Sequence, residues 1–175
     1  MTDTTAEKAA SGTQNALYTA EQRRRRDESP WTLVQGVLAA VQFLVFLVSL
    51  GLVLNWLASG GGFLAASISI LVKTLVLYAI MITGAIWERD VFGQYLFAPA
   101  FFWEDVVSML VIALHSAYLV MFLTAMGTPG QQIAVALAAY ATYAVNAAQF
   151  LWKFRLAKKA PHSSGVAAAI EGVTP

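Results

Sequence analysis

Three acidic residues, Glu88, Glu104 and Asp105, flank an aromatic segment in the middle of the chain, and Arg89 follows the first of them. Carboxyl groups beside an apolar pocket can act as general acids and bases toward a bound molecule. The same residues also have a structural interpretation, because acids at a helix start satisfy free N–H groups and charges mark the edge of an apolar span. Both interpretations place Glu88 and Arg89 at the end of one helix, and Glu104 and Asp105 at the start of the next.

Two further ionisable residues, Lys73 and His115, lie within long stretches that are otherwise uncharged. A charged group within an apolar span costs free energy, so it usually has a charged or polar partner or lines a cavity. A lysine can also extend its side chain toward the nearest water. A lone histidine there can hydrogen-bond to a neighbouring helix, ligate the metal of a tetrapyrrole, or relay protons. The two residues lie at similar depth if the stretches are adjacent helices, which favours a polar pocket between them.

The segment between the acids holds six aromatic residues in the twelve positions from Phe92 to Trp103, and these include Tyr95 and Phe101. A loop in water would not be so apolar, and a glycine and a proline interrupt regular structure. We therefore expect the segment to lie in a membrane interface or to fold back as a lid over a flat aromatic ligand.

Composition indicates which elements position these residues. Hydrophobic residues make up 58% of the 175 positions and charged residues only 12%, about half the share that is usual in soluble domains. Lys73 is the only charged residue between Trp31 and Trp87, and none occurs from Val106 to Trp152. An ordinary water-soluble enzyme, a nucleic-acid binder and a disordered protein are thereby excluded, which leaves a small polytopic membrane protein.

Metal and redox chemistry is limited by two residue counts. The chain has no cysteine, which excludes disulfides, iron–sulfur clusters and thiolate zinc sites. With only two histidines, a histidine-rich metal site within one chain is not expected.

Four apolar stretches are each long enough to cross a bilayer, which takes about 20 helical residues. They lie near 31–58, 63–87, 105–126 and 131–152. The short connections at 59–62 and 127–130, rich in Gly and Pro, predict antiparallel neighbours. The predicted fold class is therefore all-α: a polytopic membrane protein with four transmembrane helices in an antiparallel bundle. We expect one domain over 17–156, between disordered tails at 1–16 and 157–175.

Basic residues predict the orientation. Four consecutive arginines at 23–26 precede the first span, and four basic residues follow the fourth, namely Lys153, Arg155, Lys158 and Lys159. Because cytoplasmic segments carry the excess of Lys and Arg, both termini are expected in the cytoplasm. The segment 88–104 then also lies on the cytoplasmic side.

Helical spacing predicts polar stripes that face the interior of the bundle. In the third span the stripe is Glu104, Ser108, Val111, His115, Tyr118 and Phe122. The first span repeats every seven residues, with Gln35, Gln42, Ser49 and Trp56, and the fourth has Tyr140, Tyr143, Asn146 and Phe150. Such stripes commonly serve as hydrogen-bonding contacts between helices. Tyr118 and Asn146 are also candidates to contact a ligand bound within the bundle.

Two longer runs resemble one known family, the 3-vinyl bacteriochlorophyllide hydratases of phototrophic bacteria. The runs are VFGQYLFAPAFFWEDVVSML from Val91 to Leu110 and LYTAEQRRRRDESPWTLVQGVLAAVQFLVFLVSL from Leu17 to Leu50. Both are long and idiosyncratic, and the resemblance covers about residues 17–156. The chain departs from the family at Ala20 and Ala40, where proline is frequent, and this difference affects the local backbone rather than the chemistry.

The resemblance implies a hydro-lyase of bacteriochlorophyll biosynthesis. Such an enzyme adds water to the C3-vinyl group of chlorophyllide a or 3-vinyl bacteriochlorophyllide and gives a 3-(1-hydroxyethyl) group. It also implies no cofactor, because the magnesium is carried by the substrate. The expected partners are this pigment, water, the lipid bilayer and other pigment-synthesis enzymes, without nucleic acid. The expected location is the bacterial inner, or intracytoplasmic, membrane.

This reaction suggests catalytic roles for the acids. A proton must add to the terminal vinyl carbon, and water then attacks the carbon next to the ring. Glu104 is expected as the acid because it shares a face with His115, and Asp105 or Glu88 would handle the water. His115 could ligate the magnesium of the substrate or relay a proton.

Substrate binding suggests further roles. Arg89 or Lys73 could pair with the propionate of the pigment. The aromatic segment, with Tyr95, Phe101 and Trp103, could cover the ring.

Two other functions stay open on the residues alone. A non-catalytic four-helix membrane subunit that binds a pigment, haem or quinone is the main alternative. A small exporter is the third, but it would be expected to place an acid at mid-membrane, where this chain has Lys73 and His115.

Overall fold

The computed structural model describes residues 17–159, with side chains over residues 17–155. This part of the chain is helical and contains no strand. Its five helices are α1 (Ala20–Glu28), α2 (Pro30–Ser59), α3 (Phe63–Phe92), α4 (Phe102–Leu123) and α5 (Pro129–Lys159). Four of them, α2 to α5, are long and apolar enough to cross a membrane, so the predicted fold class is confirmed. The predicted tails, 1–16 and 157–175, fall almost entirely outside the described residues, and the predicted domain limits stay a prediction.

The connection between α2 and α3 is short because glycine permits an abrupt turn. Gly60 and Gly62 adopt left-handed φ angles of 71° and 83°, which residues with a Cβ rarely adopt. The N–H of Gly60 donates to the carbonyl of Trp56 and closes α2. Pro30 at the first turn of α2 has the fixed φ that a helix start requires.

The second predicted span ends later and the third begins earlier than hydropathy indicated. Helix α3 continues past 87 to Phe92, and α4 begins at Phe102 rather than 105. A charged side chain leaves the hydrocarbon but does not break the helical hydrogen bonds, so the helix continues until Gly93 ends it with φ 83°. At its other end α4 stops at Leu123 rather than 126, close to Ala125 with φ 52°.

Helix α1 is a short polar helix that hydropathy could not reveal. A capping box starts it, in which the Thr19 hydroxyl accepts from the Gln22 N–H and the Gln22 side chain accepts from the Thr19 N–H. Glu21 bridges to Arg24 and Arg25, and hydrogen bonds from these guanidinium groups lower the pKa of Glu21 to about 2. The sequence signal for this helix is the Thr-x-x-Gln spacing.

The interior of the bundle is more polar than its outer surface. Leucines on three helices are largely exposed, such as Leu33, Leu64 and Leu123, as is expected where lipid tails replace water. The buried polar residues include Gln42, Ser49, Ser67, Lys73, Thr74 and His115. The inward-facing stripes predicted for α2 and α4 are confirmed, and on α5 the residues Tyr140, Tyr143 and Asn146 are buried.

Helices α2 and α3 pack along one another through paired polar side chains. Hydrogen bonds join Thr32 to Trp87, Gln35 to Thr83, and Ser49 to Ser69. Residues early in α2 thus meet residues late in α3, so these two helices run in opposite directions. The antiparallel arrangement of all four spans stays a prediction.

Tyr18–Ala148 form one compact unit, whose core includes residues of all four long helices. The other unit, within the described residues, is the end of α5 from 149 onward, where the rings of Phe150 and Phe154 stack.

Candidate active site

Two of the predicted site residues form a carboxyl pair. Glu88, one turn before the end of α3, and Asp105, in the first turn of α4, are hydrogen-bonded through their side chains. Both side chains are buried. A hydrogen bond between two carboxyl groups requires a proton on one of them, because an ionised carboxylate can only accept. The pair is therefore an arrangement that can hold a single proton between two helices.

Two consecutive backbone amides of the 93–101 loop hold this pair. The Phe97 N–H donates to Asp105 Oδ2 at 2.7 Å, and the Ala98 N–H donates to Glu88 Oε2 at 3.2 Å. Phe97 adopts a left-handed φ of 60°, a conformation that costs a bulky residue about 1–3 kcal/mol. The hydrogen bond to Asp105 offsets part of this strain. The sequence could not indicate these amides, since a backbone donor has no residue signature.

Glu104 precedes Asp105 and begins the buried stripe of α4. Its side chain is buried, as are those of Ser108, Val111, His115 and Tyr118, one to four turns further along. Phe122 is partly buried and packs against the core. The amide of Asn146 on α5 donates to the Ser108 hydroxyl at 2.7 Å. A polar connection therefore runs from the acids into the bundle.

Aromatic rings form one wall beside the carboxyl pair. Phe101 is 1% exposed and packs edge-on against Trp87 and Phe92, with ring centroids 5.7 and 5.8 Å away. Tyr18, just before α1, stacks on Phe92, and the guanidinium of Arg26 lies 5.0 Å above the Tyr18 ring. Burial raises the pKa of Tyr18 to about 12, although Arg26 opposes this shift. Tyr18 therefore attaches the N-terminal segment to the site.

The other predicted contacts for a pigment ring lie on the outside. Arg89 is exposed, donates to the Tyr95 hydroxyl at 2.6 Å and lies over the Tyr95 ring. Trp103 is 68% exposed. The loop thus folds back onto the acids through its backbone, Phe101 packs inside, and Tyr95 and Trp103 remain accessible from the surface.

Lys73 lies in an aromatic cage in the interior of the bundle. It is 0% exposed, and its Nζ atom lies 3.7 Å from the ring centroid of Tyr143. Phe46 and Tyr140 contribute rings at 5.7 and 5.6 Å. Nζ has no hydrogen-bond partner within residues 17–155. The side chain does not extend to a surface, so its ammonium interacts with aromatic faces.

His115 is fully buried near this cage. Its Nδ1 atom lies 2.8 Å from the carbonyl oxygen of Val111, and its ring centroid lies 5.9 Å from that of Tyr140. A carbonyl oxygen can only accept, so Nδ1 carries the proton. Nε2, which has no hydrogen-bond partner in the described part of the chain, then offers its lone pair in the neutral ring.

The predicted site residues therefore fall into two groups. Fifteen residues separate Lys73 from Glu88 on α3, which is about 22 Å along the axis. Ten residues separate Asp105 from His115 on α4, about 15 Å. The structure brings together the acids, and separately Lys73 with His115, rather than forming one pocket from both. In residues 17–155 no three His, Asp or Glu side chains lie together as a metal site would require.

Comparisons with known proteins identify the family. The family model for 2-vinyl bacteriochlorophyllide hydratase matches residues 18–156. A relative of that name from Cereibacter sphaeroides is 67% identical over 143 residues, which are 81% of this chain and 88% of the relative. Another from Rhodobacter capsulatus is 65% identical over 144 residues, covering 82% and 83%. No solved structure matches the chain.

The names with 2-vinyl and 3-vinyl denote the same family, so the resemblance seen in the sequence is confirmed. The match spans all four long helices and the loop that holds the carboxyl pair. The chain belongs to the 2-vinyl bacteriochlorophyllide hydratase family.

Proposed function

We propose that the chain is a hydro-lyase that hydrates the vinyl group of chlorophyllide a or 3-vinyl bacteriochlorophyllide in bacteriochlorophyll biosynthesis. The product carries a 3-(1-hydroxyethyl) group. The observation that carries this proposal is the family match over residues 18–156, at 65–67% identity to two hydratases.

The chemistry requires a proton donor before a nucleophile. A proton adds to the terminal vinyl carbon, the π electrons form the new C–H bond, and the cation on the inner carbon is delocalised into the macrocycle. Water then forms the C–O bond at that carbon and releases a proton, which restores the acid. The site must therefore supply a proton to carbon and a base that orients water.

The carboxyl pair suits the role of proton donor. The hydrogen bond between Glu88 and Asp105 keeps one proton in a buried position, and the loop amides stabilise the carboxylate left after transfer. We assign the pair as the acid and Glu104, adjacent and buried, as the base for water. From the sequence, Glu104 was expected to be the acid and Asp105 or Glu88 to handle the water. Amide variants of these residues distinguish the two assignments.

The position of the pair limits where the rest of the pigment binds. Arg89, one residue after Glu88, suits the propionate at the charged end of the bundle. Lys73 is about 22 Å from Glu88 along α3, which is more than the width of a chlorin ring. His115 is about 15 Å from Asp105, whereas the magnesium of a chlorin lies much closer to its vinyl group. A substrate with its vinyl group at the pair therefore leaves both residues free for another role.

The exposure of the other candidate residues indicates which of them can contact the pigment. Phe101 forms the buried wall, and Tyr95 and Trp103 offer accessible rings that can close over the macrocycle. Asn146, which bonds to Ser108 one turn beyond Glu104, can meet the inner edge of the pigment. Tyr118 lies thirteen residues after Asp105, about 20 Å along α4, and is therefore too deep for this contact. The protein would need no cofactor of its own, since the magnesium belongs to the substrate.

The cellular setting is part of the proposal. The four apolar helices belong in a membrane, which we assign as the bacterial inner, or intracytoplasmic, membrane with both termini in the cytoplasm. The substrate, water and lipid are the direct partners. Association with other pigment-synthesis enzymes would allow an apolar intermediate to pass between them.

The function can be tested on membranes that contain the protein. Incubation with chlorophyllide a should give a product heavier by one water that has lost the vinyl absorbance. Pigment that is bound but recovered unchanged would instead indicate a binding subunit.

Amide variants test the assignment of the acids. Glu88→Gln and Asp105→Asn keep an oxygen for the loop amides but remove the shared proton, so the rate should fall about 10²–10⁴-fold. Asp90→Asn is the matched control, because Asp90 bonds to Ser29 and lies outside the pair. In D₂O, Glu104→Gln should still exchange deuterium into the vinyl group while hydration is slow. Loss of that exchange, with normal turnover in the pair variants, would make Glu104 the acid.

A further inference from the structure

The interior of the bundle contains polar atoms that the proposed reaction does not use. Among the residues that the structure describes, Lys73 Nζ, His115 Nε2 and both amide atoms of Gln42 are buried without a hydrogen-bond partner. These residues come from three helices, and each is at most 1% exposed. An unpaired amide or hydroxyl in an apolar interior is energetically costly. Several such groups at one depth indicate a ligand that satisfies them.

Lys73 and His115 belong to one cluster, and Gln42 lies next to it along α2. Lys73 lies over Phe46, which is one turn after Gln42 on α2. Lys73 and His115 are close enough for a direct electrostatic interaction, and both approach the Tyr140 ring. We call Gln42, Lys73 and His115, with Tyr140 and Tyr143, the interior cluster.

The chemistry of the free atoms selects the ligand. Lys73 and the Gln42 amide nitrogen are donors, whereas His115 Nε2 and the Gln42 oxygen are acceptors. A simple anion or cation can satisfy only one of these kinds. Water satisfies both, and buried waters typically make about three hydrogen bonds to such groups. An organic ligand with both donors and acceptors is therefore not needed to satisfy these groups.

A route leads from this cluster toward the carboxyl pair. Ser108 lies on the same face of α4, seven residues before His115 and three after Asp105. Its hydroxyl accepts from Asn146, whose own Oδ1 is buried without a partner among the described side chains. These polar groups lie between the cluster and the acids.

We infer that the interior cluster is a water-binding site within the membrane and that it supplies the water consumed at the carboxyl pair. Water would pass from the cluster by way of Asn146 and Ser108 to the base near Asp105. This role rests on the proposed function, whereas the presence of bound water does not. The reaction would then draw its water from inside the bundle while the loop keeps the aqueous side closed.

The first measurement tests bound water directly. X-ray radiolysis in H₂¹⁸O produces hydroxyl radicals from water in place, and mass spectrometry locates the ¹⁸O on neighbouring side chains. Phe46 and Tyr143 should be labelled, whereas Phe101, which is buried in the aromatic wall away from the cluster, should not. Absence of label on Phe46 and Tyr143 would overturn the site.

Paired glutamine variants connect the water to the reaction. Gln42→Leu should reduce labelling of Phe46 and Tyr143 and lower kcat by about tenfold or more, with KM unchanged because pigment binds elsewhere. Gln35→Leu is the matched control, since Gln35 is on the same helix but already bonds to Thr83. Equal kcat in both variants would overturn the supply role. A wild-type protein that is labelled but does not hydrate pigment would refute the proposed function alone.

Discussion

Phe97 and Asp105 show how a backbone conformation and a carboxyl group depend on one another. The left-handed φ of Phe97 aims its N–H at Asp105, and no property of a phenylalanine side chain predicts this conformation. The sequence did single out Asp105 and Glu88, because acids in an apolar chain are scarce. It could not predict that these two would pair, since pairing depends on where α3 ends and on the path of the loop.

Substitutions at Phe97 separate the role of its backbone from that of its ring. Phe97→Gly keeps the left-handed conformation without strain, whereas Phe97→Val disfavours it by about 1–2 kcal/mol. We expect the glycine variant to retain more hydratase activity than the valine variant, although both lack the ring. Initial rates with chlorophyllide a and thermal unfolding in detergent would measure the two effects. A valine variant as active as the glycine variant would show that the N–H of Phe97 is not needed.

At the scale of elements, α1 and the connecting loop were the hardest to predict. Helix α1 is polar, so no hydropathy window detects it, and its capping box is the local signal. The connecting loop is 93–101 rather than the predicted 88–104, because α3 continues through its charged residues to Phe92 and α4 begins at Phe102. The long spans were predicted well, since about 20 apolar residues must be helical in a membrane.

Tyr18 connects α1 to the loop and gives this contact a pH dependence. Burial raises its pKa to about 12, above the ordinary value near 10. Its neutral form is therefore the buried one, and its stabilising contribution is complete below about pH 10 and is lost as the pH rises through 12. The difference in ultraviolet absorbance between wild type and Tyr18→Phe should show no phenolate from Tyr18 at pH 10.5. The same titration in denaturant should show ordinary ionisation, and ionisation at pH 10 in the folded protein would contradict the buried contact.

At the scale of the whole molecule, the described helices bury many polar groups beside their apolar core and turn large apolar side chains outward. The arginines of α1 precede the first span, and Lys153 and Arg155 end the last, so both termini should be cytoplasmic. A phosphatase, active only in the periplasm, should be inactive at either terminus and active when inserted at Gly61. Phosphatase activity of a terminal fusion would show that the orientation is the opposite one and that the carboxyl pair lies on the periplasmic side.

Asp105 and Glu88 are bound by neighbouring amides, so a single rotation of the loop near Phe97 and Ala98 would release both at once. A pigment must therefore enter without lifting this loop, since its two amides stabilise the carboxylate left after proton transfer. The loop would then act as a fixed cover over the pair, so that an empty site keeps its acid away from solvent.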